Sequence, residues 1–96
     1  MKRHRSDQSK AAIVAALREL GVSWIDCDLL ANQYKGIFDG IAVMMGEMFP
    51  VELKSEKGEL SKDQERFHAL WQGPHIKILR SAEEATEWVQ AHRQRW

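Results

Sequence analysis

Apolar and polar residues recur with helical spacing in the first part of the chain, and this pattern predicts a helix over residues 6–20. Gly21 marks its end. The apolar positions of this helix share one stripe: Ile13, Ala16, Leu17 and Leu20. Residues 11–17 are apolar almost all round, which is typical of a helix buried on more than one side. In so small a domain, a partner subunit is a candidate for the second side.

Shorter apolar segments, separated by glycines and polar turns, predict four strands. Their expected ranges are residues 22–27, 37–45, 47–54 and 75–80. Gly46 separates the second strand from the third, and the polar turn after the third strand ends at Gly58.

Two further helices are indicated by capping boxes, in which a serine is followed three residues later by Gln or Glu. The first spans residues 61–72 and begins with Ser61 and Gln64, and the second begins with Ser81 and Glu84. The last helix is expected to carry four residues on its inner face: Ala85, Trp88, Val89 and His92.

The resulting order is α-β-β-β-α-β-α. The helix between the third and fourth strands predicts a crossover, and therefore a parallel pair at that point. The fold class expected is α/β, with an α+β-like mixed sheet and helices packed on it. Residues 6–96 are expected to form one domain after a basic tail at residues 1–5.

Composition supports a soluble globular class, because apolar residues make up 44% and charged residues 29% of the 96 residues. No apolar segment approaches the roughly 20 residues of a membrane span, and no secretory signal is visible. The single Cys27 cannot form an internal disulfide, which favours a reducing, cytoplasmic setting and a role for Cys27 as a small core residue.

The formal net charge is zero, which counts against nucleic-acid binding because DNA-binding domains are usually basic. The cations are unevenly placed, however. One group lies at the start of the chain: Lys2, Arg3, His4 and Arg5. Another lies toward its end: Arg80, His92, Arg93 and Arg95. Such terminal groups are candidates for phosphate contacts, although a solvated tail also accounts for the first.

The candidate chemistry lies on the second and third strands. Glu52 and Lys54 are two residues apart and so share one face of a strand. A two-residue type II′ turn at Gly46-Glu47 would place Asp39 opposite Lys54, on that same face. Asp39, Glu52 and Lys54 are therefore expected to lie together.

Two converging carboxylates suit a hard cation such as Mg²⁺ or Mn²⁺. Such an ion activates water for phosphodiester hydrolysis, and Lys54 would stabilise the developing charge or orient the attacking water. The alternative is a cross-strand salt-bridge cluster on a solvated sheet face.

Gln64 adds to this constellation, because it shares a helical stripe with the apolar Leu60, Phe67 and Trp71 and should point toward the sheet. That role is compatible with completing the capping box. Of the four histidines, none with ligand spacing, His68 is the one that could lie near the site. Asp26 and Asp28 are interpreted as strand-end polar groups, and Trp96 as a candidate dimer contact.

These residues resemble the VRR-NUC domain, the virus-type replication and repair nuclease branch of the PD-(D/E)XK superfamily. The segments that carry the resemblance follow a helix ending in Leu20-Gly21, and they are Gly36–Asp39, Val51–Lys54, Gly58–Ser61 and Gln64. The resemblance covers roughly residues 6–90 and is that of a stand-alone, phage-type member.

This resemblance implies a restriction-endonuclease-like core, similar to that of Holliday-junction resolvases. It implies a homodimeric DNA endonuclease that uses Mg²⁺ or Mn²⁺ on branched DNA such as four-way junctions, in the host cytoplasm if phage-encoded. Asp39, Glu52 and the backbone carbonyl of Leu53 would bind the metal. Lys54 would be the catalytic lysine, and Gln64 would lie at the edge of the active site.

The chain departs from the family pattern at two places. Phe38 stands where the family usually has proline before the first aspartate. The family also places a glutamate on the first helix, where this chain has Ser9 and Lys10, just after Asp7 and Gln8. The sequence therefore leaves open whether one or two metal ions bind, and an inactive DNA-binding or assembly module on the same fold is the alternative function.

Overall fold

The computed structural model describes residues 5–95, with side chains from residue 9 onward. The predicted order of helices and strands is confirmed, with one additional 3₁₀ helix between the first two strands. The elements are α1 (Arg5–Glu19), β1 (Ser23–Asp26), the 3₁₀ helix (Asp28–Asn32), β2 (Gly40–Met44), β3 (Glu47–Leu53), α2 (Lys62–Leu70), β4 (Lys77–Leu79) and α3 (Ala82–Arg93).

The four strands form one mixed sheet in the order β1-β2-β3-β4. The first two pairings are antiparallel and the β3–β4 pairing is parallel, as the crossover through α2 predicts. The parallel pairing begins at Val51, the residue after Pro50. Proline has no N–H to donate to a neighbouring strand, which explains why the ladder starts there.

The β2–β3 turn differs from the prediction. Its central residues are Met45 and Gly46, with φ angles of 52° and 77°, and Met44 pairs with Glu47. Two positive φ angles are the mark of a type I′ turn, whose twist matches that of the flanking strands. The predicted type II′ turn at Gly46-Glu47 is therefore wrong by one residue.

The register changes with the turn. Gly40 pairs with Val51, and continuing this register by one residue places Asp39 across from Glu52, not from Lys54 as predicted. The difference is a two-residue slip along β3. Because side chains alternate with a period of two, such a slip does not exchange the faces to which the side chains of β2 and β3 point.

The sheet is covered on both faces. On one face, α1 and α3 pack over a core that consists of Ile13, Leu17, Val22, Ala42, Met44, Val51, Leu53, Leu79, Ala85 and Val89. On the other face, α2 and the loop before β2 form a smaller cluster around Cys27, Phe38 and Ile76, with Phe67 and Trp71 packed against it. The helix that carries Gln64 therefore covers the face to which Glu52 points.

The α1 helix buries one side in this chain. Ile13 and Leu17 are fully buried, whereas Ala11, Ala12 and Ala15 are exposed. Within one chain, therefore, α1 is buried on one side only. Burial of residues 11–17 on a second side by a partner subunit stays a prediction.

Arg5, assigned to the basic tail, is the first residue of α1. The other members of that tail, Lys2, Arg3 and His4, lie outside the described residues, as does Trp96. None of the helices within residues 5–95 combines the length and the apolar character needed to cross a bilayer.

Candidate active site

The site is centred on Glu52, a fully buried carboxyl group in β3, the third strand of the sheet. Gln64 donates from Nε2 to one of its oxygens at 3.1 Å, and the Nε2 atom of His68 lies 3.2 Å from the other. Burial, followed by a hydrogen bond and charge repulsion from Asp39, raises the pKa of Glu52 from 4.5 to about 9. Without a bound cation, Glu52 therefore carries a proton at neutral pH.

Asp39 is held beside Glu52 by three hydrogen bonds that tie it to the neighbouring strands. Its N–H donates to the carbonyl of Val51 at 3.0 Å, and its own carbonyl accepts from Cys27 at 2.9 Å. Its Oδ2 atom accepts from the N–H of Leu53 at 2.6 Å. Asp39 thus continues the hydrogen bonding to β3 by one residue before β2 begins. These bonds fix its position next to Glu52.

Two glycines allow the loop before β2 to take this path. Gly36 has φ +80°, and a Cβ atom built there would lie 2.2 Å from the carbonyl oxygen of Asp63 at the start of α2. A Cβ atom at Gly40 would meet the ring of Trp24 at 2.2 Å. Close approach at both positions leaves room only for glycine.

Lys54 and Gln64 connect β3 with α2. The Nζ atom of Lys54 donates to Oε1 of Gln64 at 2.6 Å, and the N–H of Ser61 donates to the same oxygen at 2.9 Å. Ser61 in turn accepts from the N–H of Gln64, which completes the predicted capping box. The two roles expected for Gln64, capping α2 and pointing into the site, are both present because its two amide atoms face different partners.

His68 also reaches the site, one helical turn after Gln64. Burial, Lys54 and His75 lower its pKa, so the imidazole is neutral at physiological pH. The helical spacing of four residues from Gln64 was the sequence signal for this position.

Lys10 is a site residue that the motif did not assign. Its ammonium lies 3.7 Å from Oδ1 of Asp39, on the α1 side of the sheet. A cavity of about 440 Å³ opens there between α1 and the β1–β2 end, and both Lys10 and Asp39 line it together with Arg18, Asp26 and Asp28. In the sequence, Lys10, Val14 and Arg18 are four residues apart and so share one face of α1. This spacing does not show which residues that face contacts.

Asp26 and Asp28 lie at the end of β1, where the sequence placed strand-end polar groups. The N–H of Asp28 donates to Oδ1 of Asp26 at 2.8 Å, a local turn contact. Burial, Asp26 and Asp39 raise the pKa of Asp28, so this side of the cavity has a surplus of negative charge that Lys10 partly offsets. Nearby Cys27 is buried, and its thiol pKa is raised by burial and by these aspartates, in keeping with a core residue.

Two of the C-terminal cations predicted as candidates for phosphate contact are used within the chain. Arg80 donates from Nη1 to the carbonyls of Ser55 and Gly58, at 3.0 and 2.5 Å, and so holds the loop that follows Lys54. Arg93 donates to the carbonyl of Leu20. A guanidinium group that satisfies main-chain carbonyls is less free to bind a phosphate, and sequence alone does not show these distant acceptors.

The oxygen donors available to a metal are few. Among the residues that the structure describes, no group of three or more His, Cys, Asp and Glu side chains is arranged to hold a metal ion. Asp39 and Glu52 provide two adjacent carboxylates. The N–H of Leu53 bonds to Asp39, and the N–H and C=O of a strand residue point to the same side, so the predicted Leu53 carbonyl also faces the β2 edge.

Oxygen donors of this kind suit a hard cation whose other ligands are waters. The adjacency of the Asp39 and Glu52 carboxyl groups is the observation that bears on the fit, because two carboxyl groups in contact need either a shared proton or a cation between them.

Comparisons of the chain with protein-family models, with curated proteins and with solved structures find no match. The functional assignment therefore depends on the motif residues and their geometry.

Proposed function

We propose that this protein is a Mg²⁺- or Mn²⁺-dependent endodeoxyribonuclease of the VRR-NUC type, which hydrolyses phosphodiester bonds in branched DNA as a homodimer. The observation that carries the proposal is the convergence of Asp39, Glu52, Lys54 and Gln64 in one connected cluster. A salt-bridge cluster on a solvated face does not account for it, because Glu52 is fully buried under α2.

In this proposal the carboxylates of Asp39 and Glu52 and the carbonyl of Leu53 hold the cation. When bound, the ion lowers the pKa of a coordinated water and offsets negative charge on the phosphodiester. Lys54 presents a fixed ammonium that stabilises charge on the phosphate or orients the attacking water. Gln64 positions Lys54 and Glu52 relative to each other, because one amide atom contacts each of them.

The preference for branched DNA and the homodimer come from the family resemblance. The exposed alanines of α1 support a dimer, because Ala11, Ala12 and Ala15 form an apolar surface against which a second helix can pack closely. A two-fold axis would then present two sites to two DNA strands. Sedimentation of the wild type and of Ala12→Glu tests this point: a dimer that becomes a monomer supports it, and a monomeric wild type rejects it.

The experiment that tests the activity is nicking of a synthetic four-way junction in the presence of Mg²⁺ or Mn²⁺. We expect the wild type to cut the junction in preference to linear duplex. We expect Asp39→Asn to lose at least about a hundredfold in rate, because disturbing even the outer ligands of a metal costs up to about that much and Asp39 is a direct ligand in this proposal. Glu56→Gln is the matched control, since it removes an exposed carboxylate four residues from Glu52 and should cut normally. Equal cutting by the wild type and Asp39→Asn would reject the assignment of Asp39.

An inactive DNA-binding or assembly module is the second candidate. It is favoured by the number of contacts that the cluster already makes, since Lys54, Gln64, His68 and Glu52 satisfy one another without a ligand. Metal binding without cleavage of junction, flap, duplex or single-stranded DNA would support the module over the nuclease.

A further inference from the structure

Lys10 stands next to the proposed metal site on the side away from Lys54. Its Nζ atom is 3.7 Å from Oδ1 of Asp39, the carboxylate oxygen that does not bond to Leu53. The side chains are partly buried, with relative exposures of 35% for Lys10 and 19% for Asp39. The pair therefore differs from a fully solvated surface ion pair, which water and salt would screen.

Lys10 and Asp39 line one cavity together with two further aspartates, Asp26 and Asp28. Arg18 is a second cation in that lining. Lys10 is the cation whose ammonium lies 3.7 Å from the carboxylate of Asp39.

We propose that Lys10 supplies a built-in positive charge beside Asp39, so that the active site binds one divalent cation per chain and repels a second. This inference rests on the proposed function, because it concerns the stoichiometry of that metal site. The sequence left the number of ions open, and the position of the Lys10 ammonium favours one: a second cation on Oδ1 of Asp39 would have to displace a group of like charge.

Replacing Lys10 by glutamate should open the second site. Lys10→Glu removes the repelling charge and adds an oxygen donor at the same point of α1, facing Asp39 and the cavity that holds Asp26 and Asp28. Lys10→Gln removes the charge without adding a carboxylate. It should therefore keep one site and bind its ion about tenfold more tightly, since a nearby like charge has been removed.

The test is calorimetric titration of the full chain with Mn²⁺. We expect one ion per chain for the wild type and for Lys10→Gln, and two for Lys10→Glu. Arg18→Glu is the matched control, because it changes the charge of the same cavity by the same amount but lies two helical turns, about 12 Å, along α1. It should bind one ion. Circular dichroism establishes that each variant is folded, and if Lys10→Glu does not fold, the affinity of Lys10→Gln decides.

The outcomes separate this inference from the proposed function. Four results would overturn the role of Lys10 and leave the metal site intact. They are two ions bound by the wild type, one ion bound by folded Lys10→Glu, a second ion bound by Arg18→Glu, and an unchanged affinity in Lys10→Gln. No Mn²⁺ binding by the wild type would reject the metal site, and the proposed function with it.

Discussion

Gln64 donates a hydrogen bond of 3.1 Å from Nε2 to the buried carboxyl group of Glu52, so the residue that caps α2 is also a contact of the candidate active site. The start of the helix and the third strand are thereby joined through one side chain. Lys54 donates a hydrogen bond from Nζ to the oxygen of the same Gln64 amide. The stability of α2 and the geometry of the site are consequently linked.

This link predicts the effect of Gln64→Ala. The change removes the partner of Lys54 and one partner of Glu52, and it also breaks half of the capping box. We expect a loss of about 2–3 kcal/mol in the free energy of unfolding, because buried polar groups are left unsatisfied. Ser61→Ala is the control, since it removes only the cap and should cost about 1 kcal/mol. Urea denaturation compares them, and equal losses would show that Gln64 acts only as a cap.

The raised pKa of Glu52 predicts how stability depends on pH in the metal-free protein. In the unfolded chain Glu52 ionises near 4.5, whereas in the folded chain it keeps its proton up to about 9. The folded state therefore binds more protons between these values, and the free energy of unfolding should fall as pH rises, by up to about 1.4 kcal/mol per pH unit from this group.

Urea denaturation at pH 5, 7 and 8.5 with a chelator present measures this dependence. Glu52→Gln keeps a neutral side chain of the same shape and should remove the slope contributed by residue 52. A variant that retains the full wild-type slope would show that another group is responsible.

Metal binding should compete with that proton. A cation held by Glu52 requires the ionised carboxylate, so binding releases the proton and becomes tighter as pH rises. We therefore expect Mg²⁺ to raise the Tm of the wild type more at pH 8 than at pH 6. Asp39→Asn should show little Mg²⁺ effect at either pH. A Tm shift that is larger at pH 6 would contradict the assignment of Glu52 as a ligand.

Gly36, beside the site, and Gly46, in the β2–β3 turn, both have positive φ angles and offer a matched test of close packing. Gly36 and Gly46 have φ angles of 80° and 77°, but only at Gly36 would a Cβ atom strike a neighbour, the Asp63 carbonyl at 2.2 Å. Gly46→Ala should cost about 1–2 kcal/mol, from backbone strain alone. Gly36→Ala adds the clash and should cost about 1–3 kcal/mol more. Equilibrium unfolding measures both, and equal costs would mean that α2 can move away from the loop.

Local patterns were sufficient for much of the architecture. Helical periodicity located α1, and the capping box located the start of α2, because both depend on residues within a few positions of each other. For α3, Ser81 accepts from the N–H of Glu84 as expected, but the Glu84 carboxylate accepts from Arg80 N–H and not from Ser81. The 3₁₀ helix was missed, since one short turn with exposed Leu29 has no periodicity to reveal it.

The sequence by itself determined that Glu52 and Lys54 share a face, because residues two apart on one strand do so whatever the register. Only the tertiary structure decided which residue lies opposite Asp39, since turn type depends on twist across both strands. It alone also brought Lys10 to the site. Lys10 and Asp39 are far apart in the chain and on different elements, and their contact exists because α1 packs over one face of the sheet at the end of β2.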